Sequence, residues 1–308
     1  MCSEVLKRFD SHIHGAFGVG VSDADVEGIV LMSRELYKRG IDAFCPTTMT
    51  IPAEQIWKVC EAVARAKEIL EQSDDKHATI AGIHLEGPFL SPEYAKVQSS
   101  SCIISPRDGI KLVEELASKY GDLIKIVGVA PEMEGGLEFV SEISQMSICV
   151  SLAHTGASYE LSRKAFDQGA RSVTHVLNAM RPFDKREPGV LGAAIDDPRV
   201  YVEVICDGHH IHRTMLKTIF SMINSDRLVV ISDSMRGAFM PDGDYMLGDV
   251  LVSCKNGRTY FGEGGNLAGS ISCLPEEQKV LQGIQIPSEI ISKAMWDNPW
   301  ARIGILQN

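Results

Sequence analysis

The chain has 308 residues, 44% of them hydrophobic and 23% charged, with a formal net charge of −11. That composition supports a sizeable core and leaves no case for disorder, while the acidity disfavours nucleic acid, whose binding needs Lys and Arg against the phosphates. No run approaches the ~20 apolar residues that span a bilayer, and Met1-Cys2-Ser3-Glu4 lacks the basic-then-apolar layout of a signal peptide.

The hydrophobic period switches repeatedly between two and 3.6, the pattern of strands alternating with helices. Leu6 to His12 reads as a first strand. Val26, Ile29, Val30, Leu36 and Tyr37 then mark one face of a helix that Gly40 can end. Ile41–Thr47 is a second strand, and Pro52 opens a helix whose buried face holds Ile56, Val59, Val63, Ile69 and Leu70. Thr79–Leu85 is a third strand, followed by an irregular stretch and a helix after Pro106. Strands at Ile124–Ala130, Ile148–Ala153, Ser172–Thr174, Tyr201–Cys206 and Leu228–Ser232 complete the series, with helices at Glu138–Met146, Tyr159–Phe166 and Met215–Ile223. Between Asp244 and Gly264 the pattern becomes hairpin-like, with Asn256-Gly257 as the turn, and reads as an insertion before the last helices.

Most of these strand-like runs are apolar on both faces, as parallel strands covered by helices should be. Their number and the chain length predict an α/β fold, a (β/α)₈ TIM barrel forming one catalytic domain over residues 1–308. A doubly wound open sheet is the structural alternative. The cysteines contain no Cys-x-x-Cys pair, so they read as reduced, packed thiols of a cytoplasmic protein and not as a zinc knuckle or disulfide framework.

The polar residues that follow the strands carry the functional signal. The first strand ends in Asp10-Ser11-His12-Ile13-His14-Gly15, the third in His84-Leu85-Glu86-Gly87-Pro88, and the fifth in His154-Thr155. The sixth ends in Thr174-His175, the seventh in Asp207-Gly208-His209-His210 and the eighth in Ser232-Asp233. Groups at strand tips share one face of a barrel, the face where barrel enzymes build their sites. His-x-His within a strand aims both imidazoles the same way. Imidazoles from separate strands plus a carboxylate suit zinc, iron or a similar divalent ion, and three such groups left uncompensated at one mouth would be costly to bury. Glu86, His154, His175, His12 and His14 are the candidate metal ligands. His77 and His212 read as surface or capping residues, and His84 and His209 as outer residues that support the ligands.

With those motifs in order along the barrel, the chain resembles the N-acetylglucosamine-6-phosphate deacetylases of the amidohydrolase superfamily. Arg186-Glu187-Pro188-Gly189, Leu267-Ala268-Gly269-Ser270 and Asn298-Pro299 extend the likeness. The resemblance implies Glu86, His154 and His175 as the main metal ligands and Asp233 as the catalytic aspartate, with one or two ions per subunit, since His12 and His14 are retained. It carries substrate contacts to Asn178, Ala179, Arg186, His210 and the Leu267, Ala268 and Gly269 segment. Arg186 suits phosphate, because a guanidinium fork matches its oxygens. In relatives this arginine can come from a neighbouring subunit, which implies a homodimer. The plain alternatives are a surface ion pair for Arg186 and a turn-forming role for Asn178.

The implied reaction is hydrolysis of the acetamide of N-acetylglucosamine 6-phosphate, with Asp233 passing a proton from water to the leaving amine. Three departures bear on it. The family's small β-sandwich, built from strands flanking the barrel, is expected to be absent. Gln98 stands where members carry a substrate-contacting histidine, and its amide can donate a hydrogen bond but not become cationic. Ser234 replaces the usual alanine after the catalytic aspartate. A galacto-configured or other N-acyl sugar phosphate is the second reading, and a catalytically weak binding protein is the third.

Overall fold

The computed structural model describes residues 6–262 and 265–304. Met1–Glu4, with Cys2, and residues 263 and 264 at the end of the expected insertion lie outside the described residues. Eight parallel strands pair in sequence order: β1 (Phe9–Ile13), β2 (Ala43–Thr48), β3 (Ile83–Leu85), β4 (Ile124–Val129), β5 (Cys149–Leu152), β6 (Ser172–Val173), β7 (Tyr201–Ile205) and β8 (Leu228–Ile231). The third run is interrupted at Ala81-Gly82, and Thr79–Ile80 pairs with β2 as a separate piece. The sheet closes between its first and last strands. Asp233 N donates to the His12 carbonyl at 3.0 Å and His14 N to the Ser234 carbonyl at 2.8 Å. Beside them the Asp10 carboxylate accepts from Ser232 N at 3.2 Å, in place of a ladder bond. This closure sets aside the open doubly wound sheet.

A helix follows each strand: α1 (Val26–Lys38), α2 (Ala53–Glu71), α3 (Pro106–Tyr120), α4 (Gly136–Ser144), α5 (Tyr159–Asp167), α6 (Gly189–Asp196), α7 (Arg213–Met222) and α8 (Leu274–Gly283). Local chemistry explains their starts. Ser105 Oγ accepts from Asp108 N ahead of Pro106, and Ser158 Oγ accepts from Leu161 N, each satisfying a helix-end donor. His212 caps α7 in the same way, as its sequence position suggested. Helix α6 was not foreseen. Gly189 to Ala194 are all buried, so it has no polar face and no 3.6-residue stripe.

Outward-facing strand residues such as Val202 and Val204 pack under helix residues such as Leu36, Val63, Phe139 and Phe166 to form the main core. A second cluster fills the closed end inside the barrel, where Phe9, Cys45, Ile126 and Cys149 meet Trp300 and Ile303. The C-terminal helical segments Ser288–Ser292, Lys293–Asp297 and Asn298–Arg302 run beneath this end. They seat Trp300 on Phe9 with ring centroids 4.5 Å apart. Asn298 Nδ2 donates to the carbonyls of Ser225 and Leu228, both at 2.7 Å, which fixes the plug to the start of β8.

The insertion between β8 and α8 is a three-stranded antiparallel sheet, β9 (Gly243–Leu247), β10 (Val250–Lys255) and β11 (Arg258–Tyr260). The expected turn is there: Asn256 and Gly257 have φ of 53° and 75°, the positive pair that a type I′ turn needs. The seven described cysteines are free, and six are buried. No helix among the described residues is long and apolar enough to cross a membrane.

Candidate active site

The cluster starts with an irregularity in β1. Its register against β2 shifts between Asp10 and Ile13, and a one-residue slip reverses the face on which side chains emerge. Phe9 can therefore face the closed end while His12 and His14 face the mouth. Glu86 leaves β3 next to Gly128 of β4, where a Cβ would collide with the Glu86 carbonyl oxygen. His154, His175 and Asp233 follow β5, β6 and β8 at φ of 43°, 28° and 50°. That left-handed region costs a non-glycine residue roughly 1 kcal/mol or more. The surrounding contacts hold all three strand tips in it.

The hydrogen bonds assign the tautomers. His154 Nδ1 lies 2.8 Å from the Tyr94 carbonyl and His14 Nδ1 lies 3.2 Å from that of Thr47. A carbonyl only accepts, so each Nδ1 carries a proton, and in the neutral ring each Nε2 presents a lone pair. His12 Nδ1 donates to Glu203 Oε2 at 3.1 Å, with the same result. Those lone pairs face acceptors. His154 Nε2 is 3.2 Å from Glu86 Oε1, and His175 Nε2, whose Nδ1 has no partner among the described residues to fix the tautomer, is 2.8 Å from the same oxygen. His14 Nε2 is 3.3 Å from Glu86 Oε2 and 3.2 Å from Asp233 Oδ1, and His12 Nε2 is 3.5 Å from Glu86 Oε1 and from Asp233 Oδ1.

Lone pairs aimed at carboxylates repel unless positive charge lies between them. Ligands ~2.0–2.1 Å from one tetrahedral ion stand about 3.3 Å apart. The separation between His154 Nε2 and His175 Nε2 is 3.2 Å, and that between His12 Nε2 and His14 Nε2 is 3.3 Å. The donor set therefore fits divalent ions. Two groups, Glu86-His154-His175 and His12-His14-Glu86, share Glu86 and each bring their donor atoms within 4.8 Å of one another. Electrostatics agree. Burial alone would raise the Glu86 and Asp233 carboxyls, yet the surrounding imidazoles hold both below the ordinary range. Burial opposes charge on His14 too, but Asp233 and Glu86 lift it to about 10. In the metal-free site a proton on His14 Nε2 therefore stands where a bound ion would otherwise supply the positive charge.

The cluster forms the floor of a cavity of about 470 Å³ lined also by Met49, Lys96, Gln98, His210, Leu247 and Phe261. Residues 8–247 match the Amidohydrolase family. The chain belongs to the amidohydrolase family. Its relatives include N-acetylglucosamine-6-phosphate deacetylase of Bacillus subtilis, 38% identical over 264 residues that cover 85% of this chain and 65% of the relative. N-acetylgalactosamine-6-phosphate deacetylase of Escherichia coli is 31% identical over 85% of this chain and 67% of its own. The crystal structure of N-acetyl-D-glucosamine-6-phosphate deacetylase from Mycobacterium smegmatis superposes with a TM-score of 0.90 at 27% identity, covering 98% of this chain and 78% of that one. The chain thus spans about two thirds of the length of these curated relatives.

In this amidohydrolase the residues expected from the sequence fall into three groups. His14, Glu86, His154, His175 and Asp233 meet at the cavity floor, with His12 buried just beneath. Asn178, Ala179, His210, Leu267, Ala268 and Gly269 line the walls. His210 Nδ1 is held by Asp207 at 2.7 Å, leaving Nε2 for a ligand. Asn178 is partly committed, since its Nδ2 donates to the His175 and Val176 carbonyls. Gln98 also lines the cavity, but its Nε2 donates to Glu86 and its Oε1 accepts from Thr50 N at 2.6 Å. It braces a ligand as well as facing the substrate space.

Two residues stand apart from the cluster, and for His209 the expectation is corrected. Arg186 is exposed and lies outside this cavity, its N–H bonded to Asp184 Oδ1 at 2.8 Å. His209 is exposed and supports no ligand, because the turn at Gly208, φ 74°, swings it into solvent. His84, by contrast, lies beneath His12 with ring centroids 4.6 Å apart. Sequence reasoning missed Lys96, the one permanent cation among the described residues lining the cavity, held at φ 56°. A lysine in an irregular loop carries no pattern that would reveal it. The only signal was its place two residues before Gln98.

Proposed function

We propose that this amidohydrolase deacetylates N-acetylglucosamine 6-phosphate, giving glucosamine 6-phosphate and acetate. The observation that carries the reading is the convergence of four imidazole Nε2 atoms and two carboxylates at the floor of the cavity and, for His12, just beneath it. The names of the relatives support the substrate class. Glu86, His154 and His175 would hold one ion, of zinc, iron or a similar metal, and His12 and His14 with Glu86 could hold a second. An ion there supplies a Lewis acid and lowers the pKa of water from 15.7 toward ~7.

The chain's own groups do the rest. Asp233, kept ionised among the imidazoles, takes the proton of the attacking water and delivers it to the leaving nitrogen. Gln98 and the peptide carbonyls of Tyr94 and Thr47 hold the ligands so that nothing reorganises during reaction. Leu247 and Phe261, brought by the inserted sheet, close the cavity on its open side. His210, Asn178 and the backbone at Ala179 orient the sugar, and Lys96 gives the phosphate a cation within the same chain. Arg186 is assigned to the cavity of a neighbouring copy in a homodimer. The catalytic domain is the single barrel with its inserted sheet, and the free, buried thiols suit the cytoplasm.

The galacto isomer is the second substrate reading, supported by the Escherichia coli relative's name and by Gln98 at the substrate-facing wall. Acetate release from the two N-acetylhexosamine 6-phosphates and from unphosphorylated N-acetylglucosamine separates the cases. The gluco phosphate should turn over fastest and the free sugar slowest. Release from neither phosphate would contradict the proposal, and bound metal without turnover would mark a binding protein.

A further inference from the structure

A buried ion pair joins the closed end of the barrel to the cluster at its mouth. Arg302, on the last helix, donates through Nη1 to Glu203 Oε1, and both side chains are wholly buried. The other oxygen, Glu203 Oε2, accepts from His12 Nδ1 at 3.1 Å and from His175 N at 3.4 Å. Ser172 Oγ is a weak further partner of Arg302 at 3.4 Å. Its Nε and Nη2 have no partner among the described residues. His12, His84 and Glu203 also lie within 4.8 Å of one another as a third potential cation site, but the Arg302 guanidinium already supplies the positive charge there.

Such a pair is a weak source of stability, because desolvating two charges rivals their attraction, and apolar residues of similar volume often serve as well. Phe9 and Trp300 plug the neighbouring layer with apolar contact alone. What the ion pair adds is control of His12. A carboxylate at Nδ1 fixes the proton there, aims Nε2 into the cluster and makes that nitrogen a better donor to a cation. The carboxylate can stay ionised inside the barrel because Arg302 faces its other oxygen. The partners of His154 and His14, the Tyr94 and Thr47 carbonyls, are neutral and need no such support.

We infer that Arg302 is a positioning residue for the ion held by His12 and His14: the C-terminal helix, acting through Glu203, sets the affinity of that position and leaves the Glu86-His154-His175 position largely unaffected. The inference rests on reading the cluster as a centre for two ions. It is tested by titrating the metal-free full chain with zinc and counting bound ions by mass spectrometry. The informative variant is Glu203→Gln/Arg302→Met, a neutral pair of similar volume whose amide oxygen can still accept from His12. The control is Arg227→Met. Arg227 is a buried arginine that donates to the carbonyls of Ala194, Asp197 and Val200 at 2.8, 2.8 and 2.9 Å, remote from the cluster.

Wild type and the control should bind two ions alike. The neutral pair should bind its first ion as wild type does and its second roughly 10- to 100-fold more weakly. If the neutral pair does not fold, Glu203→Asp withdraws the carboxylate from His12 while keeping the counter-charge, and should weaken the second ion in the same way. Wild-type binding of both ions by the folded variant overturns the inference and leaves the two-ion reading standing. A wild-type chain that holds fewer than two ions overturns that reading and the inference with it.

Discussion

At the scale of the residue, the proposed chemistry rests on one carboxylate placed among imidazoles. Asp233 Oδ1 stands 3.2 Å from His14 Nε2 and 3.5 Å from His12 Nε2, the position from which the proposal has it move a proton. Asp233→Asn should keep its bound metal and lose turnover by roughly 10²- to 10⁴-fold, measured as metal content and acetate release on the same sample. Turnover within a few-fold of wild type would remove Asp233 from the mechanism. The clustering of these candidate ligands was legible because each lies at or near the end of an apolar strand run. The roles of Gln98 and Lys96 were not, because both lie in an irregular segment where spacing says nothing about direction. Arg186 shows a related limit: a motif gives a residue's position along the chain but not the cavity it reaches.

At the scale of the element, the strands and the amphipathic helices followed from their periods, with ends displaced by a few residues. What escaped was whatever lacks a period. Helix α6 is apolar on every side, and the register shift in β1 that turns His12 and His14 inward leaves no mark in composition. The inserted sheet was legible only at its Asn256-Gly257 turn, yet it brings Leu247 and Phe261 over the cavity. Gly257 has φ 75°, so Gly257→Val should strain the turn by roughly 1–2 kcal/mol. The expected outcome is a raised KM with metal content unchanged, read from steady-state kinetics beside elemental analysis. Loss of metal instead would mean that the sheet supports the cluster itself.

At the scale of the whole molecule, the closed barrel and its polar mouth were both readable, whereas the polar thread through the barrel axis was not. Glu203 and Arg302 stand 99 residues apart with no motif to link them. Their union depends on closure, which no local pattern displays. Stability away from the site has its own signature. Arg199 donates to Asp197 and, outweighing burial, holds its carboxyl down at about 2 against an ordinary 3.8. The ionised form therefore favours the fold. That contribution is complete above about pH 4 and is lost as the pH falls from about 4 toward 2. Asp197→Asn should lower the melting temperature at neutral pH, and the gap from wild type should narrow as the pH drops through that window. A gap that stays constant would show that packing, not charge, is what the substitution removes. The most direct measurement for the account as a whole is acetate release from N-acetylglucosamine 6-phosphate by one preparation, first stripped of metal by chelation and then reloaded with a divalent ion. The account predicts no release from the stripped chain and its return on reloading. Equal release before and after stripping would contradict it.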